Sequence, residues 1–188
     1  MKKQSGFTLI EIAIVLVIIG LLLGGVLKGQ EMMTNAKIKR TSNDFNGISA
    51  AIFSYLDRYS AFPGDDPNAE ARWGVGVAVD GNGDGLIGGT CFGAGESTEL
   101  WNHLRLSGLV GGTGTSYPNH AFGGRVGVQN NPGGVSGAGI CMDVIEGKVA
   151  EILDRQLDDG VSNAGEVQDI GGVAAYVLTD TYTIAKKL

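Results

Sequence analysis

An apolar run near the N-terminus places the strongest constraint on this chain. No charged side chain occurs from Ile12 to Leu27, and residues 7–11 extend the run to 21 residues. About 20 apolar residues are needed for a helix to span a bilayer, so the sequence predicts a membrane-spanning helix over residues 7–27. Glu11 interrupts this segment, and a carboxylate within hydrocarbon is costly. A simple anchor explains the length of the run but does not explain Glu11.

The charges beside the run predict its orientation. Lys2 and Lys3 precede it, and positive flanks stay on the cytoplasmic side, so residues from about 28 onward are expected outside the cytoplasm. Cys91 and Cys141 then lie in an oxidising compartment, which favours a disulfide over two buried free thiols. The formal net charge of −6 argues against a general nucleic-acid binder.

The order of residues at the N-terminus is specific. A short basic leader, MKKQS, is followed by Gly6, by FTLIE and by the apolar run. This pattern resembles the N-terminus of type IV pilins and of the pseudopilins of type II secretion. The resemblance implies that a membrane peptidase cuts after Gly6 and methylates Phe7. It also implies that Glu11 pairs with the new N-terminal amine of a neighbouring subunit and sets the axial register of a filament.

Two features leave alternatives open. Glu11 could pair with the amine of its own subunit, or it could be a stray carboxylate that reaches the membrane surface. Many pilins have a proline in the second half of this helix, near the position of Lys28, and this chain has none there. Gly24 and Gly25 are expected to supply flexibility instead, because paired glycines weaken a helix.

The helix is predicted to continue to about residue 58, before Pro63. Its second half carries one apolar stripe at helical spacing, formed by Ile38, Phe45, Ile48, Ile52, Tyr55, Leu56 and Tyr59. We therefore divide the chain into a leader (1–6), a transmembrane or filament-core helix (7–27), its amphipathic continuation (28–58) and a glycine-rich globular domain (59–188). The predicted fold class is α+β, a long helix packed on a small antiparallel sheet, which also resembles the pilin fold.

Several shorter elements are predicted within the globular domain. Ser97 is a candidate N-cap for a helix in STELWNHLRLSGLV, and Asp143 with Glu146 is a candidate capping box for a helix over 143–157. The strand candidates are 121–128, 137–142 and 173–183.

The segment DGNGDGLIGG suggests a calcium loop. Asp80, Asn82 and Asp84 alternate with glycines, as in the first half of an EF-hand loop, and the Leu86 carbonyl is a further candidate ligand. Cys91 occupies the twelfth position where an EF-hand has glutamate, so a ligand must come from Glu96 or Glu99, or more remotely from Asp159. The alternative is a surface turn cluster.

Other polar residues indicate less specific roles. Asp65 and Asp66 are predicted to be turn residues, with a second metal site as the alternative. Asp158 and Asp159 are predicted to end a helix. His103 and His120 are isolated and are predicted to be packed or surface residues. The sequence has no nucleophile elbow, P-loop, dinucleotide fingerprint or paired-cysteine zinc pattern, so we do not predict an enzyme.

The expected function is a structural subunit of a type IV pilus, with a type II secretion pseudopilin as the alternative. The expected partners are further pilin subunits in a helical filament, a prepilin peptidase, an inner-membrane assembly platform, and lipid before assembly. The expected location is the inner membrane first, and then an extracellular pilus or a periplasmic pseudopilus. A membrane-anchored periplasmic binding module that never polymerises is the third hypothesis, but it leaves Gly6, Phe7 and Glu11 unexplained.

Overall fold

A computed structural model describes residues 8–188, so Gly6 and Phe7 lie outside the described part of the chain. The longest element is helix α1, Leu9–Tyr59, which confirms the prediction of one helix ending near residue 58. The backbone is helical through Gly24 and Gly25. By contacts the chain divides into two compact units, one ending at Lys37 and the other comprising Ile38–Leu188.

In the first unit, the apolar side chains of α1 face outward. The large apolar residues from Leu9 to Leu27 are exposed throughout. By length and composition this stretch could cross a membrane. Exposed apolar surface of this extent is unfavourable in water, so the segment requires lipid or protein around it.

The second unit contains the hydrophobic core. Ile38, Phe45, Ile52 and Tyr55 of α1 are buried, which confirms the central positions of the predicted stripe. Ile48 and Tyr59 pack against the same core at its margin. The remaining buried members come mainly from the sheet and from two short helices, and include Trp101, Val128, Ile140, Met142, Leu153 and Ile184.

The sheet has four antiparallel strands in the order β1-β2-β4-β3. They are β1 Val126–Asn130, β2 Ala138–Glu146, β3 Val167–Asp169 and β4 Thr181–Lys187. Val128 pairs with Ile140 across β1 and β2, and Met142 pairs with Ile184 across β2 and β4. A long N-terminal helix with a small antiparallel sheet is the predicted α+β, pilin-like arrangement.

Three short helices complete the fold: α2 Ala69–Trp73, α3 Glu96–Leu106 and α4 Gly147–Leu157. The predicted N-cap of α3 is wrong by two residues, because Gly95 caps it and Ser97 lies inside the first turn. The predicted capping box of Asp143 and Glu146 is also wrong. Both residues belong to β2, where Asp143 forms an ion pair with Arg125.

The C-terminal strand begins later than predicted. Residues 173–180 form turns and irregular backbone, and β4 starts only at Thr181. The segment before β4 passes the start of α4, where the Gly147 N–H donates a hydrogen bond to the Asp180 carbonyl. The three-residue strand β3 and the five-residue helix α2 were not predicted, because elements this short carry too little periodicity.

The predicted disulfide is confirmed. Cys91 and Cys141 are bonded and lie 50 positions apart in sequence. Cys141 lies in β2 between Ile140 and Met142, which contribute to the main core, while Cys141 packs with Cys91, Val135 and Ala185 in a second, smaller core. Closing a loop of this length removes chain entropy from the unfolded state that is worth about 4 kcal/mol.

Candidate functional site: the helix start and the Asp65 loop

The first candidate site is the start of α1, where Thr8 and Glu11 bond reciprocally. Glu11 Oε2 accepts the Thr8 backbone N–H at 2.7 Å and the Thr8 hydroxyl at 2.7 Å. The Glu11 backbone N–H donates to Thr8 Oγ1 at 3.3 Å. This is a capping box, in which two side chains satisfy backbone donors that the first helical turn leaves unpaired.

The capping box places a charge at a defined position. Glu11 is exposed and lies in the first turn of α1, where a carboxylate also interacts favourably with the positive end of the helix dipole. The sequence TLIE carries the signature of this motif, so it could have been found without the structure. The predicted cleavage and methylation positions, Gly6 and Phe7, lie outside the described residues.

The second candidate site is built around Asp65, which is buried. Its carboxylate accepts three backbone hydrogen bonds from the DGNGDG segment, donated by Gly83 at 2.7 Å, Asp84 at 3.1 Å and Gly85 at 2.8 Å. These donors supply hydrogen-bond partners to a polar side chain that is buried away from water. Asp65 is therefore more than a turn residue, because it holds a loop that begins 15 positions later.

Glu96, at the start of α3, holds the same loop from another side. Its Oε1 accepts the Asn82 N–H at 3.0 Å, and its Oε2 accepts the Gly88 N–H at 2.7 Å. Carboxylate oxygens of Asp65, Asp84 and Glu96 lie within 4.8 Å of one another. Three converging carboxylates repel one another, and hard oxygen ligands of this kind suit a divalent cation such as Ca²⁺.

Two glycines permit the close packing of these loops. A Cβ on Gly64, whose φ is +89°, would lie 2.3 Å from the Glu96 carbonyl oxygen. A Cβ on Gly81 would lie 2.3 Å from the Asp65 Cα. The segments FPGDDPN and DGNGDG thus form one structural unit, held together by glycine contacts and by the hydrogen bonds to Asp65.

The other predicted calcium ligands have different neighbours. Asp80 Oδ1 accepts the Glu70 N–H, Asn82 Oδ1 accepts the Asp84 N–H, and Glu99 lies within 3.5 Å of the Asn102 amide. Leu86 is half-exposed, while the next residue, Ile87, is buried. The sequence-based set and the three-carboxylate group therefore share only Asp84 and Glu96, and Asp65 was not among the predicted ligands of this loop.

Asp159, the remoter candidate, belongs to a different group. Asp159 lies just beyond α4, where it is close to Asp158 and to Asp154, a residue within α4. Asp158 follows the last residue of α4, which confirms the predicted helix stop.

A network of hydrogen-bonded polar side chains lies next to Asp65 in the structure. Asp66 accepts hydrogen bonds from the Tyr55 hydroxyl at 2.7 Å and from the Arg72 guanidinium. Burial alone would raise the pKa of Asp66, but the hydrogen bonds from Arg72 and Tyr55 hold it below its ordinary value. Burial, together with the bond to Asp66, raises the pKa of Tyr55.

His103 is a second part of this network and is fully buried. Its Nδ1 accepts the Gly64 N–H at 2.9 Å, so Nε2 carries the proton and donates to the Val79 carbonyl at 3.0 Å. Burial lowers the pKa of His103 and favours this neutral ring. Both histidines are packed, as predicted, and neither belongs to a metal-ligand group among residues 8–188.

Comparison with known proteins bears on the N-terminus. Residues 1–27 match the family model of the prokaryotic N-terminal methylation motif. Neither the curated proteins nor the solved structures yielded a match to this chain. With this motif leading into the apolar first part of α1, the chain carries the N-terminal signature of the type IV pilins and pseudopilins.

Proposed function

We propose that this chain is a structural subunit of a bacterial type IV pilus. The peptidase cuts after Gly6 and methylates Phe7, and α1 then moves from the inner membrane into the filament. The globular unit is exported and forms the filament surface. The protein acts by assembly and performs no catalysis.

The observation that carries this proposal is the methylation motif over residues 1–27, continued by exposed apolar residues of α1. An exposed apolar helix suits two environments in succession, the lipid bilayer and a bundle of identical helices. The reciprocal bonds of Thr8 and Glu11 order the first turn and hold the carboxylate at the Thr8 backbone N–H. An amine created by cleavage is a cation that Glu11 of a neighbouring subunit can pair with.

A pseudopilin of a type II secretion system is the second candidate. The observation that favours it is the group of Asp65, Asp84 and Glu96, because the loop resembles the region in which some pseudopilins bind calcium. The same cleavage, methylation and Glu11 pairing apply in this case, so the two candidates differ in the final location of the filament.

Two matched variants separate the proposed charge pair from the helix cap. Glu11→Gln keeps a side-chain oxygen for Thr8 but removes the charge, and Thr8→Ala removes the hydroxyl half of the capping box but keeps the charge. We expect Glu11→Gln to abolish filaments and Thr8→Ala to form them, as measured by shearing filaments from cells. Normal assembly of Glu11→Gln would show that the charge has no role in setting the register.

We further propose that Ca²⁺ binds to Asp65, Asp84 and Glu96 and orders the loop over residues 80–89. The support is the convergence of the three carboxylates and the alternation of oxygen-bearing residues with glycines in the loop. A carboxylate offers about four lone-pair sites, so the backbone hydrogen bonds to these residues leave capacity for an ion. The ion would stabilise structure and would not take part in a reaction.

The calcium proposal is tested on the full chain in detergent. Addition of about 10 mM Ca²⁺ should raise Tm by several degrees over EGTA, given affinities of about 10⁻⁴ M for extracellular calcium modules. Asp84→Asn should lose this shift, whereas Asp80→Asn, outside the three-carboxylate group, should retain it. An unchanged Tm for the unmodified chain would refute the site, and loss of the shift in both variants would favour the sequence-based ligand set, which contains Asp80 as well as Asp84.

A further inference from the structure

Two asparagine–glycine pairs occur in the sequence, Asn46–Gly47 and Asn82–Gly83. Such a pair is chemically labile, because a glycine without a Cβ lets its backbone nitrogen approach the preceding side chain. Both asparagines are exposed, so exposure does not distinguish them. Their backbones do, since Asn46 lies within α1 and Asn82 lies in the loop over residues 80–89, outside the helices and strands.

The reaction of such a pair is deamidation, which needs only water and hydroxide. At Asn82, the Gly83 nitrogen would lose its proton to hydroxide and attack the side-chain carbonyl carbon, Cγ. A new C–N bond then closes a five-membered succinimide, and the side-chain nitrogen takes a proton from water and leaves as ammonia. Water opens the ring at either carbonyl to give aspartate or isoaspartate. The net change is the exchange of the side-chain –NH₂ for –OH.

Helix α1 prevents this reaction at Asn46. Within an α-helix each backbone N–H is bonded to the carbonyl four residues earlier, so the Gly47 nitrogen is held away from the Asn46 side chain. The preceding residue, Phe45, is fully buried. Opening of the helix here therefore disrupts the core, and openings of core elements cost nearly the whole free energy of unfolding.

At Asn82 the reacting groups are held by hydrogen bonds. The Gly83 N–H donates to Asp65 Oδ1 at 2.7 Å and to the Asp65 carbonyl at 3.1 Å. Asn82 Oδ1, which is bonded to the carbon that would be attacked, accepts the Asp84 N–H at 2.8 Å. Residues 80–86 are exposed, apart from the partly buried Gly81, so opening of this segment uncovers little apolar surface. Segments of this kind open at low free-energy cost.

We propose that Asn82 is a site of spontaneous deamidation and that the bonds between Asp65 and Gly83 set its rate. While the loop is closed, the Gly83 N–H is committed to Asp65, so the reaction proceeds from the open loop. The product carries a new carboxylate beside Glu96, whose Oε1 accepts the Asn82 N–H at 3.0 Å. Because Glu96 already belongs to a group of three carboxylates, the added charge weakens closure of the loop.

The test is incubation of the unmodified full chain in detergent at mildly alkaline pH. EGTA is present, so that the result does not depend on the calcium proposal. Peptide mapping by mass spectrometry follows aspartate and isoaspartate at both asparagines. We expect product at Asn82 and intact Asn46 in the same sample. In urea both pairs should react, and Asn82 should react at least tenfold faster than in the folded chain, because several ordinary hydrogen bonds suppress the open loop by such a factor.

Asp65→Ala removes the side-chain acceptor of Gly83 and should accelerate the reaction at Asn82 severalfold. Asn46 is the internal control, since it stays intact only while the variant remains folded. If Asn46 also reacts in the variant, the comparison of the unmodified chain with and without urea decides. The proposal is overturned by an unreacted Asn82, by equal rates at the two asparagines of the folded chain, or by equal rates at Asn82 with and without urea. A folded Asp65→Ala variant that reacts no faster would also overturn it.

Discussion

Among single residues, Asp65 has the largest influence on the candidate loop site. It accepts backbone hydrogen bonds from three consecutive residues of the DGNGDG segment, Gly83, Asp84 and Gly85. Alternation with glycine indicated Asp84 from the sequence, and proximity to the loop indicated Glu96. Asp65 was not predicted as part of this loop, because its contact spans about twenty positions and depends on tertiary packing. Local patterns contain no information about such contacts.

His103 predicts a pH dependence of stability. The folded state holds a neutral ring because burial lowers the pKa of His103, whereas the unfolded chain takes up a proton near pH 6.5. Below that pH the unfolded state binds more protons, so the free energy of unfolding falls as the pH decreases. We expect Tm of the full chain in detergent to fall between pH 7 and pH 5.

His103→Gln is the control for this prediction. The glutamine amide can accept from Gly64 and donate to Val79 but cannot take a proton in this range. Asp66, whose pKa is lowered, contributes only at more acidic pH. The fall in Tm should therefore be smaller in the variant, and equal slopes in the two proteins would contradict the assignment to His103.

At the scale of elements, two similar tetrapeptides show the limit of sequence patterns. TLIE at residues 8–11 and DVIE at 143–146 both carry the spacing of a capping box. The first caps α1, while the second lies in β2, where Asp143 pairs with Arg125. Strand pairing of Met142 and Ile145 with β4 overrides the local signal. The capping box at residue 8 could be predicted from its pattern, but the pattern of the second tetrapeptide gave no sign that it lies in a strand.

Strand β2 contains a strained residue. Its register with β4 shifts between Met142 and Ile145, and Val144 has φ of 55° with 58% exposure. A β-branched residue is unfavourable in this left-handed region. Val144→Gly should raise the free energy of unfolding by about 1 kcal/mol, as the relief of strain exceeds the extra entropy of glycine in the unfolded chain. Urea denaturation of the full chain in detergent measures this change.

Val161→Gly is the matched control for Val144→Gly. Val161 is an exposed valine without a positive φ, so glycine there should lower stability by about 0.5–1 kcal/mol. The two substitutions should have opposite signs. A loss of stability in Val144→Gly would show that this conformation is not strained.

At the scale of the whole molecule, the fold class could be predicted because its main determinants are local. A 51-residue helix with a long apolar segment and a later apolar stripe is visible in the sequence. The strand order β1-β2-β4-β3 and the pairing of FPGDDPN with DGNGDG could not be predicted, since both depend on contacts between distant residues. The disulfide between Cys91 and Cys141 could be predicted, because two cysteines allow one connectivity.

The two compact units have separate roles in the proposed function. Residues 8–37 expose apolar surface that requires lipid or neighbouring helices, while Ile38–Leu188 form a core of their own. The methylation motif belongs to the first unit, and the Asp65 loop belongs to the second. Assembly therefore depends first on the correct processing of the N-terminus.

Mass spectrometry of the N-terminal peptide from filaments sheared off cells tests this central claim most directly. The account predicts a peptide that begins at Phe7 and carries one N-terminal methyl group. An intact leader beginning at Met1, or a cut at any position other than after Gly6, would contradict it.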